Sequence, residues 1–149
     1  MKEFKFELER VFAYKQNVLD NKRLLYRQAL EEFREKEREI DRLKEENLHV
    51  GRQFDQTKKA GGTRQQYIFY GLCLSSMEER IKKAERKQCH LFKALSQTKE
   101  AMRDAQIEVK KYEKLKEHRL EAYRLKENRA QERFIEEFVS RAPGNKGHI

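Results

Sequence analysis

Proline, glycine, cysteine and tryptophan are all scarce in this chain. Its 149 residues include one proline, six glycines, two cysteines and no tryptophan. Folds built from β-sheet need turns about every 8–12 residues, so the near-absence of proline and glycine over long stretches disfavours them. No apolar run is long enough to predict a membrane-spanning helix, and no secretory signal is predicted at the N-terminus. Two cysteines are too few for a disulfide framework and fit a reducing cytoplasm.

Charge, by contrast, is abundant. Charged residues make up 41% of the chain and apolar residues 37%, with a net charge of +9. This composition is typical of long helices and coiled coils. The positive charges are interspersed with acidic residues at the i, i+4 spacing of a solvated helix, whereas a nucleic-acid footprint gathers on one face. No nucleic-acid partner is therefore predicted, and a nucleic-acid-binding helical protein is kept only as a less favoured alternative.

A single internal glycine pair divides the chain. Gly61-Gly62 permits the positive φ with which helices often end, and Thr63 can cap a new helix. The chain is accordingly predicted to form one coiled-coil domain. Its predicted parts, within residues 1–149, are a helix over about 5–57, a turn at 58–63, a helix over about 64–140 and a frayed tail at 141–149.

The second predicted helix carries apolar side chains at coiled-coil spacing. Two series of positions repeat every seven residues and interleave with each other, which predicts a left-handed supercoil. Their members are Tyr67, Leu74, Ile81, Gln88, Leu95, Met102 and Val109, and Tyr70, Met77, Ala84, Leu91, Thr98, Ala105 and Tyr112. After Tyr112 the spacing gains an extra four-residue step, a stutter that locally unwinds the supercoil.

One turn between two long helices predicts an all-α fold, a long antiparallel two-helix coiled-coil hairpin. Centring the turn near residue 60.5 places residue i opposite roughly residue 121 − i, and hence Phe4 opposite Glu117. Residues 118–140 then lack a partner helix, so an overhanging C-terminal helix is expected. The apolar stripe of the first helix is wider than one seam requires, and Lys15 and Lys22 occupy positions where the seam favours apolar side chains.

No catalytic site, metal site or cofactor is predicted. A two-helix hairpin has a seam but no deep cavity, and the glycine-rich patterns that bind phosphates are absent. Cys89 and His90 are adjacent, so on a helix they diverge by about 100° and cannot chelate one metal well. An enzyme is therefore not expected.

The segment 67–74 is apolar nearly all round its helix. Two interpretations stay open: the end of the first helix or the turn folds back to cover it, or it is a docking patch for a partner. The candidate residues of such a patch are Ile68, Phe69, Leu72, Cys73 and Met77.

Both ends of the chain also carry more apolar residues than the seam requires. Bare apolar surface there would promote aggregation, so a partner is expected to cover it, with interspersed basic residues steering an acidic partner into place. The candidate contact residues are Leu8, Val11, Phe12, Lys15, Val18, Leu19, Leu120, Tyr123, Arg124, Phe134 and Phe138.

Four segments, taken in order, resemble the flagellar export protein FliJ family, and its versions from Gram-positive bacteria in particular. The resemblance covers nearly the whole chain and depends on the order and spacing of the segments. The four are Phe4-x-Phe6-x-Leu8-x-x-Val11, Gly62-x4-Tyr67-x2-Tyr70, the run 107–117 with its Lys-aromatic-Glu-Lys-Leu core, and Glu136-Glu137-Phe138.

The resemblance implies a non-enzymatic component of the flagellar type III export apparatus, similar to the rotor stalk of F-type ATPases. Such a protein binds and activates a FliI-like hexameric export ATPase, engages an FlhA-like export gate and is associated with export chaperones. The candidates at the chain ends would then contact the ATPase, and those in 68–77 the gate or another partner. The implied location is the cytoplasm, peripherally attached to the cell membrane at the flagellar base. The alternative is a generic coiled-coil scaffold or chaperone.

Overall fold

The chain folds into two long helices. The computed structural model describes residues 3–141 and contains α1 (Glu9–Lys59) and α2 (Arg64–Arg141). Two compact units can be distinguished among the described residues: unit 1 comprises 3–19 and 104–141, and unit 2 comprises Asp20–Arg103. Within each unit, a stretch of α1 packs antiparallel against a stretch of α2. The prediction of an all-α, antiparallel two-helix hairpin is confirmed.

The helix ends differ slightly from the predicted ones. Residues 3–6 are not helical and α1 begins at Glu9, whose backbone N–H donates to the Phe6 carbonyl at 3.2 Å. The cause is visible in unit 1, where Phe4 and Phe6 pack against other aromatic side chains instead of continuing a helix. At the other end Arg141 is still helical, and the rest of the predicted tail, 142–149, lies outside the described residues.

The turn is built by two hydrogen-bonded caps. Gly61 has a φ of +74°, and the N–H groups of Gly61 and Gly62 donate to the carbonyls of Lys58 and Thr57 at 3.4 and 2.9 Å. These are the two bonds of a Schellman motif, which satisfies the last carbonyls of α1. The Thr63 hydroxyl accepts from the Gln66 N–H at 3.2 Å while the Gln66 side chain accepts from the Thr63 N–H at 2.9 Å, a reciprocal capping box. The predicted cap at Thr63 is therefore confirmed.

Two glycine-to-alanine substitutions should have opposite effects on stability. Gly61→Ala places a Cβ in the left-handed region and should cost about 1–2 kcal/mol. Gly71→Ala lies inside α2 with nothing within 4 Å of the added Cβ, so it should stabilise the helix by about 1 kcal/mol. Urea denaturation followed by circular dichroism measures both. Equal or greater stability for Gly61→Ala would contradict the assigned turn geometry.

The seam of α2 follows the predicted pattern. Every residue of the two seven-residue series from Tyr67 to Tyr112 is buried or half-buried. After the stutter the side chains that turn inward are those of Lys116, Leu120 and Tyr123, as the extra four-residue step predicts. The spacing of apolar residues along α2 therefore identifies its inner face correctly.

The seam of α1 contains more polar residues than the sequence led us to expect. All of its members are buried or half-buried, and they alternate at spacings of three and four. They are Phe12, Lys15, Leu19, Lys22, Tyr26, Ala29, Phe33, Lys36, Ile40, Leu43, Asn47, Val50, Phe54 and Thr57. Lysine tolerates such positions because its stem packs on apolar neighbours while its ammonium reaches a carboxylate. Lys15 approaches Glu108 at 4.0 Å in unit 1, and Lys36 binds Glu39 at 2.6 Å in unit 2.

Asn47 is the exception among these polar seam residues. Its side-chain Oδ1 is buried and has no hydrogen-bond partner among the described residues. An asparagine at a seam position typically weakens a coiled coil while specifying how its helices align.

Next to the turn Phe54 packs on Tyr67 as predicted, but further from the turn the predicted pairing of the two helices is wrong by about one helical turn. Phe33 packs on Phe92 in unit 2, and Glu9 pairs with Lys116 in unit 1, four residues further along α2 than expected in both cases. Two effects add to this shift. The midpoint between Lys59 and Arg64 lies about one residue later than the predicted centre of the turn. In addition, helical side chains lean toward the N-terminus of their own helix, which in an antiparallel pair increases the offset.

Candidate functional site

The N-terminal strap, defined as residues 3–8, covers part of α2 in unit 1. Phe4 packs against Tyr123 with 5.5 Å between ring centroids, and the buried Phe6 meets Phe12 edge-on at 6.4 Å. The Lys116 ammonium lies over the Phe12 and Phe6 rings at 5.5 and 6.0 Å, close enough for cation–π attraction. The strap thus covers the inner face of α2 beyond the N-terminal end of α1.

Two ion pairs accompany these ring contacts. Arg119 binds Glu7 of the strap at 3.3 Å, and Lys116 binds Glu9 at 3.0 Å. Both pairs are largely solvent-exposed, so each is expected to contribute less than about 1 kcal/mol. Their main effect is to orient the strap. Because α2 holds a carboxylate on each side of Leu8, the direction in which the strap's apolar side chains point is fixed.

The prediction that residues 118–140 are uncovered is wrong for the first part of this range, because the strap covers it. Leu120 and Tyr123 are half-buried, and the Tyr123 hydroxyl donates to the Glu127 carboxylate at 3.0 Å. Desolvation, then the hydrogen bond to Glu127 and the charges of Glu127 and Glu3, raises the pKa of Tyr123 above its ordinary value. The uncovered part of α2 begins only after Glu127.

From residue 128 to 141 every residue of α2 is exposed. Four large apolar side chains lie on this stretch: Phe134 is 69% exposed, Ile135 59%, Phe138 69% and Val139 49%. Phe138 lies four residues after Phe134 and three after Ile135, so these three share one side of the helix, which we call the terminal face. Surface of this kind on a solvated helix usually marks an interface.

A column of cations runs beside the terminal face. Arg119, Lys126 and Arg133 are spaced seven residues apart and so lie along one line of α2. Arg119 is engaged by the strap, whereas no ion pair is formed by Lys126 or Arg133 within residues 3–141. Basic side chains of this sort favour approach of an acidic partner.

A second exposed apolar surface lies in unit 2. Ile68, Phe69 and Leu72 are each more than half exposed on α2, and we call them the turn patch. Neither the end of α1 nor the turn covers them, so of the two interpretations left open for segment 67–74 the structure excludes the folded-back one. Cys73 is half-buried, while Met77 is buried in the seam and cannot contribute to the patch.

The candidate contact residues at the chain ends divide by burial. Phe12 and Leu19 are buried in the seam, while Leu8, Lys15, Val18, Leu120 and Tyr123 are half-buried. Those that are exposed are Val11, Arg124, Phe134 and Phe138. The sequence reasoning missed Ile135, whose position three residues before Phe138 indicates the same side of the helix, and Tyr14, which lies outside the seam on α1.

Other kinds of site find no support within residues 3–141. No group of three or more histidine, cysteine, aspartate or glutamate side chains is placed to hold a metal ion, and both cysteines are free. No helix in this range is long and apolar enough to span a membrane. In unit 2, the hydrogen bond and charge of Lys36 hold the pKa of Glu39 below its usual range, as expected for an ion pair at the seam edge.

A comparison with known protein families finds a match to the sequence. The family described as "Flagellar FliJ protein" aligns with residues 4–148, nearly the whole chain. The chain belongs to the FliJ family. FliJ proteins are non-catalytic components of the flagellar export apparatus, so a role in flagellar protein export follows for this FliJ-family chain. No curated protein and no solved structure is significantly similar to it.

Proposed function

We propose that this FliJ-family chain is a stalk that binds and activates a hexameric, FliI-like export ATPase. The observation that carries the proposal is the terminal face, where Phe134, Ile135 and Phe138 are exposed on a helix that has lost its partner. An interface buries such side chains in a central desolvated patch, and aromatic anchors are the residues that contribute most to binding. Lys126 and Arg133, which form no ion pair within residues 3–141, lie beside the face and favour an acidic surface on the ATPase.

A second contact is proposed for the turn patch. Ile68, Phe69 and Leu72, with the half-buried Cys73 beside them, would bind the FlhA-like export gate or an export chaperone. The chain would thereby link the ATPase to the gate. Its proposed location is the cytoplasmic face of the cell membrane at the flagellar base, attached through these partners.

Turnover of the purified export ATPase tests the proposal. Adding the full chain should raise the rate of ATP hydrolysis in a saturable way, because binding stabilises the assembled ring. A variant with a longer flexible linker in place of Gly61-Gly62 is the matched control and should stimulate nearly as well, since the turn is not the proposed contact. Unchanged turnover and no complex by size-exclusion chromatography would instead favour a coiled-coil scaffold without an ATPase.

A further inference from the structure

Positive charge is concentrated on one short stretch of α2 in unit 2. Residues 80–93 carry six cations and one carboxylate, whereas residues 94–141 of the same helix carry twelve cations and ten carboxylates. The mixing of opposite charges that holds along the rest of α2 therefore fails here. The six cations, which we call the cationic ridge, are Arg80, Lys82, Lys83, Arg86, Lys87 and Lys93.

The structure leaves the cationic ridge without a carboxylate of its own. All six side chains are exposed, and none of them forms an ion pair within residues 3–141. The one carboxylate of the stretch, Glu85, binds Lys44 of α1 at 3.4 Å instead. Other cations of α2 are neutralised locally, as Lys111 is by Glu108 at 3.3 Å. The charge of the ridge is thus available to a ligand.

Like charges stand four residues apart within the cationic ridge, in the pairs Lys82/Arg86 and Lys83/Lys87. Such pairs destabilise a helix, and these four exposed side chains contribute nothing to the seam in return. An anionic ligand bound across them would remove the repulsion. The Arg86 Nε–H group donates to the Lys82 carbonyl at 3.4 Å, which holds the guanidinium group close to the helix. The side chains around the resulting shallow depression are Ser76, Glu79, Arg80, Lys82, Lys83 and Arg86.

Carboxylates border the cationic ridge on its α1 side. The groove beside Lys87 is lined by more carboxylates than cations; its charged residues are Glu32, Glu35, Glu39, Asp41 and Glu45 with Lys36, Arg38, Arg42 and Lys87. A bilayer or a nucleic-acid duplex broad enough to meet the whole ridge would also approach these carboxylates and be repelled by them. A single acidic polypeptide chain is narrow enough to contact the ridge alone.

We propose that the cationic ridge binds a short acidic segment of a partner protein, lying along α2 as a single polypeptide chain. Residues 80–93 span about 20 Å of helix, which about six extended residues can cover. Carboxylates of that segment would pair with the ridge cations through charge-assisted hydrogen bonds. The inference goes beyond the proposed function, because it adds a surface distinct from the terminal face and the turn patch and depends on neither.

Decaglutamate, a peptide of ten glutamates, is the probe. The fluorescein-labelled peptide is titrated with the full chain at low salt and followed by fluorescence anisotropy. Saturable binding is expected, and it should weaken steeply with added salt because the contacts are exposed. Lys82→Glu with Arg86→Glu should weaken binding by about ten-fold or more. Absence of saturable binding to the unmodified chain would overturn the proposal.

A second charge reversal on α2 is the matched control. Lys110→Glu with Lys114→Glu changes the net charge by the same amount, at the same four-residue spacing, on side chains that are also exposed but stand among carboxylates. It should change decaglutamate binding less than two-fold. Equal weakening by both double variants would mean that the peptide responds to net charge alone, and it would overturn the proposal. Circular dichroism verifies that each variant is folded.

Two other polyanions test the competing occupants. Vesicles of phosphatidylglycerol and phosphatidylcholine are sedimented with the full chain, and duplex DNA is added as a competitor of decaglutamate. Sedimentation with vesicles that is lost in the Lys82→Glu, Arg86→Glu variant would assign the ridge to lipid, and displacement of the peptide by DNA at lower concentrations than unlabelled decaglutamate would assign it to nucleic acid. Either result would overturn the proposal, and the absence of both supports it.

Discussion

Replacing Phe134 and Phe138 together by serine should abolish stimulation of the export ATPase and leave the fold intact. Both side chains are 69% exposed, so the free chain loses little packing and its stability should change by less than about 0.5 kcal/mol. In a complex the same rings would be buried, and removing two aromatic anchors typically costs 2 kcal/mol or more for each, about a thousand-fold in affinity for the pair. ATP turnover and thermal unfolding of the variant measure the two effects.

The turn patch provides a matched control for this experiment. Phe69→Ser with Leu72→Ser removes two side chains that are 63% and 67% exposed, a comparable apolar area in the other unit. This variant should stimulate the ATPase normally and should be defective only in binding the gate or another partner. If it fails to stimulate the ATPase while the Phe134/Phe138 variant succeeds, the ATPase contact belongs to the turn patch and our assignment of the two surfaces is reversed.

A truncation that tests the same ATPase contact must leave the residues that hold the strap in place. Removing residues 119–149 would delete Arg119 and Tyr123 along with the terminal face, so loss of stimulation could come from a displaced strap. Ending the chain after Asn128 keeps both strap contacts and removes residues 129–149, which carry the terminal face. This shorter deletion should abolish stimulation as completely as the double serine variant.

The largest loss of stability is expected for Ile40→Ala. Ile40 is 4% exposed and forms a buried cluster with Leu43 and Ala84, against which Ile81 packs. Truncating a buried isoleucine to alanine removes its transfer free energy and leaves a cavity, at a cost of about 2–5 kcal/mol, and the lower half of this range suits a thin two-helix seam. Hydrogen exchange of the amides in unit 2 and urea denaturation both report the change.

Leu48→Ala is the control on the same helix. Leu48 is 60% exposed on α1, so its truncation should alter stability by less than about 0.5 kcal/mol. A greater loss for Leu48→Ala than for Ile40→Ala would mean that the inner face of α1 has been misassigned.

The sequence allowed the helices of this fold to be predicted well because their signals are local. The seven-residue spacing in α2 depends only on which side chains share one side of a helix, and every position it selected from Tyr67 to Tyr112 is covered. The end of α1 and the start of α2 depend on backbone conformation and capping at Gly61 and Thr63, which are equally local.

The pairing of the helices and the cover of their ends were harder to predict. Side-chain direction adds to the offset between antiparallel helices, and a count from the turn does not contain it. The strap was assigned to α1 because its residues fit the apolar stripe of the helix. Phe4 and Phe6 leave that helix for contacts with Tyr123 and Phe12, which are more than a hundred residues apart from each other in the chain. Such tertiary contacts override local propensity and leave little trace in the spacing of residues.

Asn47 gives the seam of unit 2 a polar group, which a seam of leucines would lack. Two uniformly apolar faces bury almost the same surface after one helix slides by seven residues, so their alignments are nearly degenerate in energy. The Asn47 carbonyl is already buried and unpaired in the observed alignment, which costs about 1–3 kcal/mol. A displaced alignment would set the amide against different neighbours at a different cost, so the alignments are no longer equivalent in energy. Asn47→Leu should therefore tighten the pairing while allowing more than one alignment, which makes this residue a marker of position along the helix rather than a source of cohesion.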